Sequence, residues 1–404
     1  MMSGGHPRTI RTAVLASLLV SLFLVSGERV GSHVPITTRI TFNREVVRIL
    51  RQHCLECHSP RGIKSDQPLL TYAEARPWAK AIKEEVLNRR MAPYRAVPGF
   101  GHFLENYHLP AREQELLISW IEGGVPRGEE KDYPPGLLAA MSSPRTWSLG
   151  DPDQILQPTV TTRVGASPFA ARRCFNLPVG NPRRSPLRMI EFMPGNGRVV
   201  FSASVYLAPA GRGDGCAVPE RSLTPVGEWV PGQRSFPTPP GMARVLPPRA
   251  TIVLKVEYRG SAEPESDQSL VGLYLDRTSP DKVVETISIR HTTRPSGSRV
   301  AVDHRLSADE EILAIRPLLE PGSGSFEARL TRPDGSTEVL VFARDYRFEW
   351  QPTYHFRTPR LAPRGSTIAI IINSNRPPSP TLCQIVSARS RSQAGSVSTL
   401  EDRR

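Results

Sequence analysis

The chain has 404 residues, more than one ordinary domain needs, so two or three units with separate cores are expected. Hydrophobic residues at 39% and charged residues at 23% lie near globular averages, which excludes a disordered chain and a polytopic membrane protein. The formal charge of +13 is mostly Arg, scattered through every segment without aromatic interleaving; this argues against nucleic acid as a partner and leaves the steering of an acidic redox protein.

At the N-terminus, His6, Arg8 and Arg11 precede an apolar run from Ala13 to Val25, followed by Ser26 and Gly27. That order is the order of a secretory signal peptide, and about 13 apolar residues are too few to cross a bilayer comfortably. Residues 1–27 are therefore expected to direct export to the periplasm or cell envelope, with cleavage near Gly27. Left uncleaved, the same segment would be the chain's membrane contact.

The next feature is Cys54-Leu55-Glu56-Cys57-His58, entered from a helical pattern in which Val46, Val47, Leu50 and His53 share a face and Asn43 is the expected cap. A CxxCH segment places two thiols where they can form thioethers to the two vinyl groups of a haem, and sets the following imidazole under the iron as proximal ligand. A zinc half-site or a redox dithiol would use the same CxxC, but zinc needs two further ligands at matching spacing, and the chain has no second CxxC. Met91, just ahead of the helix-breaking Pro93, is the expected distal iron ligand, with His102 or His108 as alternatives. Around it, helices are predicted from about Arg76 to Leu87 and from Pro110 to Glu122; the second is stopped by Gly123-Gly124.

Residues 131–145 read as a linker, and beyond them the pattern changes to strands. The chain's 40 prolines and 30 glycines suit strands and turns better than long helices. Strand-like runs fall at Arg198–Leu207, Thr251–Tyr258, Leu270–Leu275, Lys282–Ile289, Glu310–Ile315, Phe326–Leu330, Glu338–Phe342 and Thr367–Ile372. Asp334-Gly335 is a hairpin signal, and the regular short spacing argues for sandwiches. In an exported protein Cys174 and Cys216 are reasonable disulfide partners, whereas in the cytosol they would stay reduced. Cys383 is left without an assigned role.

Two resemblances refine these expectations. The runs Arg90-Met91-Ala92-Pro93-Tyr94-Arg95-Ala96-Val97-Pro98-Gly99-Phe100-Gly101 and Trp120-Ile121-Glu122-Gly123-Gly124-Val125-Pro126-Arg127-Gly128 resemble the methionine-ligand loop and terminal helix of small class I type cytochrome c modules. This implies an α-helical haem domain at 36–130 with Met91 as distal ligand. The stretches Trp147-Ser148-Leu149-Gly150-Asp151-Pro152-Asp153, Glu191-Phe192-Met193-Pro194-Gly195-Asn196, Glu263-Pro264-Glu265-Ser266-Asp267-Gln268-Ser269 and Asp345-Tyr346-Arg347-Phe348-Glu349-Trp350-Gln351 resemble the copper type II, ascorbate-dependent monooxygenases (peptidylglycine and dopamine hydroxylases). That resemblance implies two jelly-roll-like sandwiches, at 146–290 and 291–380, a polar tail at 381–404, and a disulfide between Cys174 and Cys216. The expected fold is thus multidomain: a small all-α cytochrome c domain followed by two all-β sandwich domains.

The copper ligands of that family have no counterparts. Phe201 and Ser202 stand where two adjacent histidines belong, Glu257-Tyr258-Arg259 occupies the later ligand region, and Leu318 and Glu320 fall on the second domain's His-x-His. Met242 is the last methionine, and beyond His108 only His291, His304 and His355 remain, far apart in sequence. Copper needs two or three imidazole or thioether groups converging per site, so haem c is expected and copper is not. The expected function is single-electron transfer by an exported c-type haem protein whose β half binds or docks a partner, with no catalytic residue assigned. The rivals are a haem-coupled copper monooxygenase that hydroxylates a C–H bond, and a non-redox envelope-binding module.

Overall fold

The computed structural model describes residues 38–91, 96–105, 108–165, 171–209, 211–212, 214–291, 298–319, 323–344, 350–374 and 380–391. The proposed signal segment, 1–27, lies outside them. Among the described residues, no helix is long and apolar enough to cross a membrane.

Strand accounts for 40% of the chain and helix for 17%. The helices are short: Val47–His53, Tyr72–Ala75, Ala79–Leu87, Ala111–Glu122 and Leu137–Ser142. Each has a local cause. A π-helical turn at Phe42–Val46 leads into the first, with Thr41 rather than Asn43 at the N-cap position and the Glu45 carboxylate accepting from the Thr41 N–H at 2.9 Å; the Asn43 side chain is buried and donates instead to the Glu129 carbonyl at 2.9 Å. Thr71 and Glu74 form a reciprocal capping box at the start of the second. Gly123 and Gly124, the latter at φ +88°, end the fourth. Its Leu117 and Trp120 pack on Phe42, Leu50 and Leu55 in a small core, where the Trp120 indole donates to the Pro126 carbonyl at 3.1 Å.

These helices do not make the separate all-α cytochrome c domain expected at 36–130. Residues 96–104, between the third and fourth helices, are a strap hydrogen-bonded to strands from the far end of the chain. The Val97 N–H donates to the Phe342 carbonyl at 2.7 Å, Leu104 donates to His355 at 2.8 Å, and Arg357 donates back to His102 at 2.8 Å. Ala96 and Phe103 are bridge partners of Ala343 and Phe356 and pack on the β core. Helical periodicity predicts helices but not what they pack against, and here a stretch of this region is completed by β-structure.

In chain order the strands are β1 (Gln154–Leu156), β2 (Thr162–Val164), β3 (Ala171–Pro178), β4 (Ser185–Met193), β5 (Val200–Leu207) and β6 (Thr224–Trp229). Next come β7 (Met242–Leu246), β8 (Thr251–Tyr258), β9 (Glu265–Asp267), β10 (Leu270–Leu275), β11 (Lys282–Arg290) and β12 (Arg299–Arg305). The last six are β13 (Glu310–Pro317), β14 (Ser323–Thr331), β15 (Thr337–Arg344), β16 (Tyr354–Ala362), β17 (Thr367–Ser374) and β18 (Thr381–Ser390). All eight predicted runs overlap one of these.

Four sheets result among the described residues. The largest has eight strands in the order β1-β10-β4-β7-β11-β18-β13-β16. Beside it stand β3-β8-β5-β6, β12-β17-β14-β15 and the pair β2-β9. One apolar core, with Leu187, Val200, Leu254 and Val271, lies where β3-β8-β5-β6 faces the β4 end of the large sheet. A second, with Ile315, Phe326, Ile370 and Ile385, lies where β12-β17-β14-β15 faces its β13 end. One continuous sheet therefore serves both cores, in place of two separately closed sandwiches. The two halves of that sheet meet at β7 and β11, which pair in parallel over only two positions, Lys282 with Met242 and Val283 with Ala243. Thr381–Ser390, read from sequence as tail, is the interior strand between β11 and β13, with Leu382, Cys383 and Ile385 buried. Cys174 on β3 is disulfide-bonded to Cys216, with Cα atoms 5.9 Å apart.

Candidate functional site

The CxxCH segment closes the helix Val47–His53 in a run of tight turns. Cys54 and Leu55 N–H groups both donate to Leu50, and His58 N–H donates to Cys54 at 2.8 Å. The following loop folds back: Lys64 N–H donates to the Cys57 carbonyl at 2.9 Å, and Leu69 N–H donates to the His58 carbonyl at 2.9 Å. Gly62 sits against the Cys57 carbonyl, where a Cβ would collide with backbone, so the turn needs glycine for close approach.

Within this loop Cys54 and Cys57 are unbonded and partly exposed. Burial pushes both thiols up to about 12, Cys57 and Glu113 adding to the effect at Cys54 and Glu56 at Cys57. The His58 Nδ1 is 2.9 Å from the Gln67 carbonyl, and among the described residues no hydrogen bond reaches Nε2. A backbone carbonyl on one ring nitrogen fixes the ring and leaves the other for iron. Burial also lowers the His58 pKa, with Gln67 opposing, which favours the neutral imidazole. The donor set of two thiols and one oriented imidazole fits covalent haem.

The loop is braced by Arg259 of the β half and by Ser143 and Arg145 of the segment ahead of it. Arg259 donates to the Ile63 carbonyl at 2.9 Å, Arg61 donates to the Ser143 carbonyl at 2.6 Å, and Glu56 is ion-paired with Arg145. Met91 is half-buried, its N–H donating to Glu85 at 3.2 Å, and residues 92–95 beside it lie outside the described residues. Met141 is the methionine that packs on the helical core with Cys54. His102 is exposed on the strap, and His108 is half-buried with its pKa lowered by burial and then by Arg89 and His53.

The places of the missing copper ligands are otherwise employed. Ser202 on β5 donates to Glu257 at 3.0 Å, and Glu257 is also paired with Arg172. His291 follows β11, His304 lies on β12 and His355 on β16, and no group of three His, Cys, Asp or Glu able to hold a metal occurs among the described residues.

Sequence reasoning missed a cavity of about 500 Å³ over one face of the large sheet. Its walls come from β4, β6, β7, β11, β13, β16 and β18, and the loop 233–240 and Leu104 of the strap complete it. Among the described residues, five arginines (188, 234, 244, 316 and 357) and one carboxylate, Glu228, line it. Arg316 and Glu228 form an ion pair with side chains 12% and 10% exposed. Burial outweighs Arg316 and Arg244 and pushes Glu228 up to about 7. His355, stacked on Phe236 with ring centres 5.1 Å apart, is lowered by burial to about 4 and is neutral.

No family model matches the chain, and no curated protein sequence matches it. Among solved structures, the major capsid protein P2 from bacteriophage PM2 is 10% identical with a TM-score of 0.27, over 59% of this chain and 97% of that one. PNGF-II is 11% identical with a TM-score of 0.22, over 70% of each chain. The fold overturns both resemblances: the chain is predominantly β, with 40% strand and 17% helix, and no all-α cytochrome module is evident among the described residues.

Proposed function

We propose that the protein is an exported c-type haem protein that transfers single electrons, its β half serving to bind or dock a partner. The observation that carries this reading is the CxxCH segment with its imidazole oriented by the Gln67 carbonyl. Cys54 and Cys57 would hold the haem through thioethers and His58 would be the proximal ligand, with Met91 the distal one. Bound haem supplies a one-electron iron couple, whose potential a thioether ligand raises. The rest is the chain's work: Gln67 holds the imidazole, Gly62 permits the turn under the thiols, and Arg259 ties the loop to the β half. The excess of Arg favours an acidic redox partner.

The test is the intact mass of the exported protein, made beside a known c-type cytochrome in cells with haem-attachment machinery, followed by redox titration. A mass increased by one haem and a reversible one-electron wave are expected. Bare polypeptide mass beside a correctly matured control overturns the proposal.

A further inference from the structure

We infer that the arginine-lined cavity is a binding site for a small organic anion, a carboxylate carried on a flat apolar body. This site is separate from the haem loop and does not rest on it.

The charge arrangement requires a guest. Arg244 on β7 donates to the Thr286 hydroxyl at 2.7 Å, a neutral acceptor, and among the described residues no carboxylate lies within ion-pair distance of it. The two nearest acidic groups are committed elsewhere: Glu228 to Arg316, and Glu285 to Arg389 at 3.2 Å. Arg316 retains a buried Nε without a hydrogen bond, as does Arg188, whose one ion pair, with Asp276, is loose at 3.7 Å. A buried guanidinium without a counter-ion is costly, and an anion entering the cavity would supply the missing partner.

The shape of the site selects the kind of anion. Strand pairing places Thr286, Val386, Ala314 and His355 opposite one another in a row across four strands, so the acceptor side chain of Arg244 and the neutral ring of His355 mark the two ends of one floor. Val284, Leu313 and Val386 make the middle of that floor apolar, and Phe236, stacked on His355, stands at the aromatic end. A guanidinium fork matches the two oxygens of a carboxylate. About 500 Å³ is within the range of small-molecule sites. A carboxylate at Arg244 with a ring against the aromatic end satisfies both halves of the cavity.

The probe is 2-naphthoate, with its uncharged isostere 2-naphthamide, titrated calorimetrically into the full chain. Naphthoate is expected to bind at least ~10-fold more tightly than naphthamide, the worth of one charge-assisted contact. R244Q and R188Q should each lower naphthoate affinity, R244Q by ~10-fold or more, while R299Q, on the sheet that does not line the cavity, should leave it unchanged. Naphthoate and naphthamide binding alike, neither binding the parent chain, or R188Q and R244Q behaving like R299Q would each overturn the inference. Because the isostere comparison uses the unmodified chain, a misfolded R244Q leaves the test standing.

Discussion

The CxxCH loop and the arginine cavity handle buried polarity in opposite ways. Around Cys57 and His58 the backbone closes on itself: Lys64 N–H meets the Cys57 carbonyl, Leu69 N–H meets the His58 carbonyl, and the His58 ring meets Gln67. In the cavity, Arg244 has only a hydroxyl and Arg316 shares the single acidic wall residue, Glu228. The loop is finished before any ligand arrives, which suits a group attached once and kept. A cavity with surplus positive charge suits a ligand that comes and goes, since its binding is what neutralises the site.

The sharpest way to break this contrast is at His58. His58→Ala should eliminate stable haem incorporation, read by absorbance and intact mass, while 2-naphthoate binding to the folded chain persists. In the cavity, Arg316→Met should destabilise the protein by roughly 3–5 kcal/mol by stranding Glu228. Arg244→Met, which strands nothing, should instead be neutral or stabilise the ligand-free chain by about 1 kcal/mol; equal losses from the two, measured by denaturant unfolding, would end the distinction. Phe103→Ala tests the strap between the regions. Its ring lies 5.2 Å from Tyr354 and 5.4 Å from Phe356, and a loss of about 2–4 kcal/mol is expected.

The smallest effect concerns Glu105 at the cavity rim, 3.4 Å from Arg234. Burial raises its carboxyl from 4.5 to about 7, with Arg234 opposing. A folded value above the unfolded one means that its stabilising contribution is full below pH 4.5 and is lost as pH rises to about 7. Glu105→Gln should therefore match the parent at low pH and exceed it at pH 8, by less than about 1 kcal/mol after solvent screening. Thermal melts at the two pH values read the difference.

Legibility from sequence followed the range of the interactions. CxxCH is contiguous, so the segment stands out in the sequence without any knowledge of the fold. Thr251–Tyr258 showed itself by dense apolar and β-branched residues. The cavity could not be read, because Arg188, Arg244 and Arg316 come from three strands, β4, β7 and β13, that only the pairing of the large sheet brings to one face. β18 was missed since Ser387 to Ser390 runs into polar sequence, while Leu382, Cys383 and Ile385 are too short an apolar signal by themselves. The expectation of an independent α domain failed at Ala96 and Phe103, where Pro98, Gly99 and Gly101 suggest a loop and nothing nearby announces a strand partner.

The strap also sets a timetable. Ala96 and Phe103 leave the ribosome roughly 250 residues before Ala343 and Phe356 exist to pair with them. Until the last strands are made, the helical segment carries a bare β-edge and an unsheltered aromatic ring, a hazard for self-association. Maturation of the N-terminal third thus finishes only when the C-terminal strands arrive, and a truncated nascent chain would be sticky rather than merely incomplete.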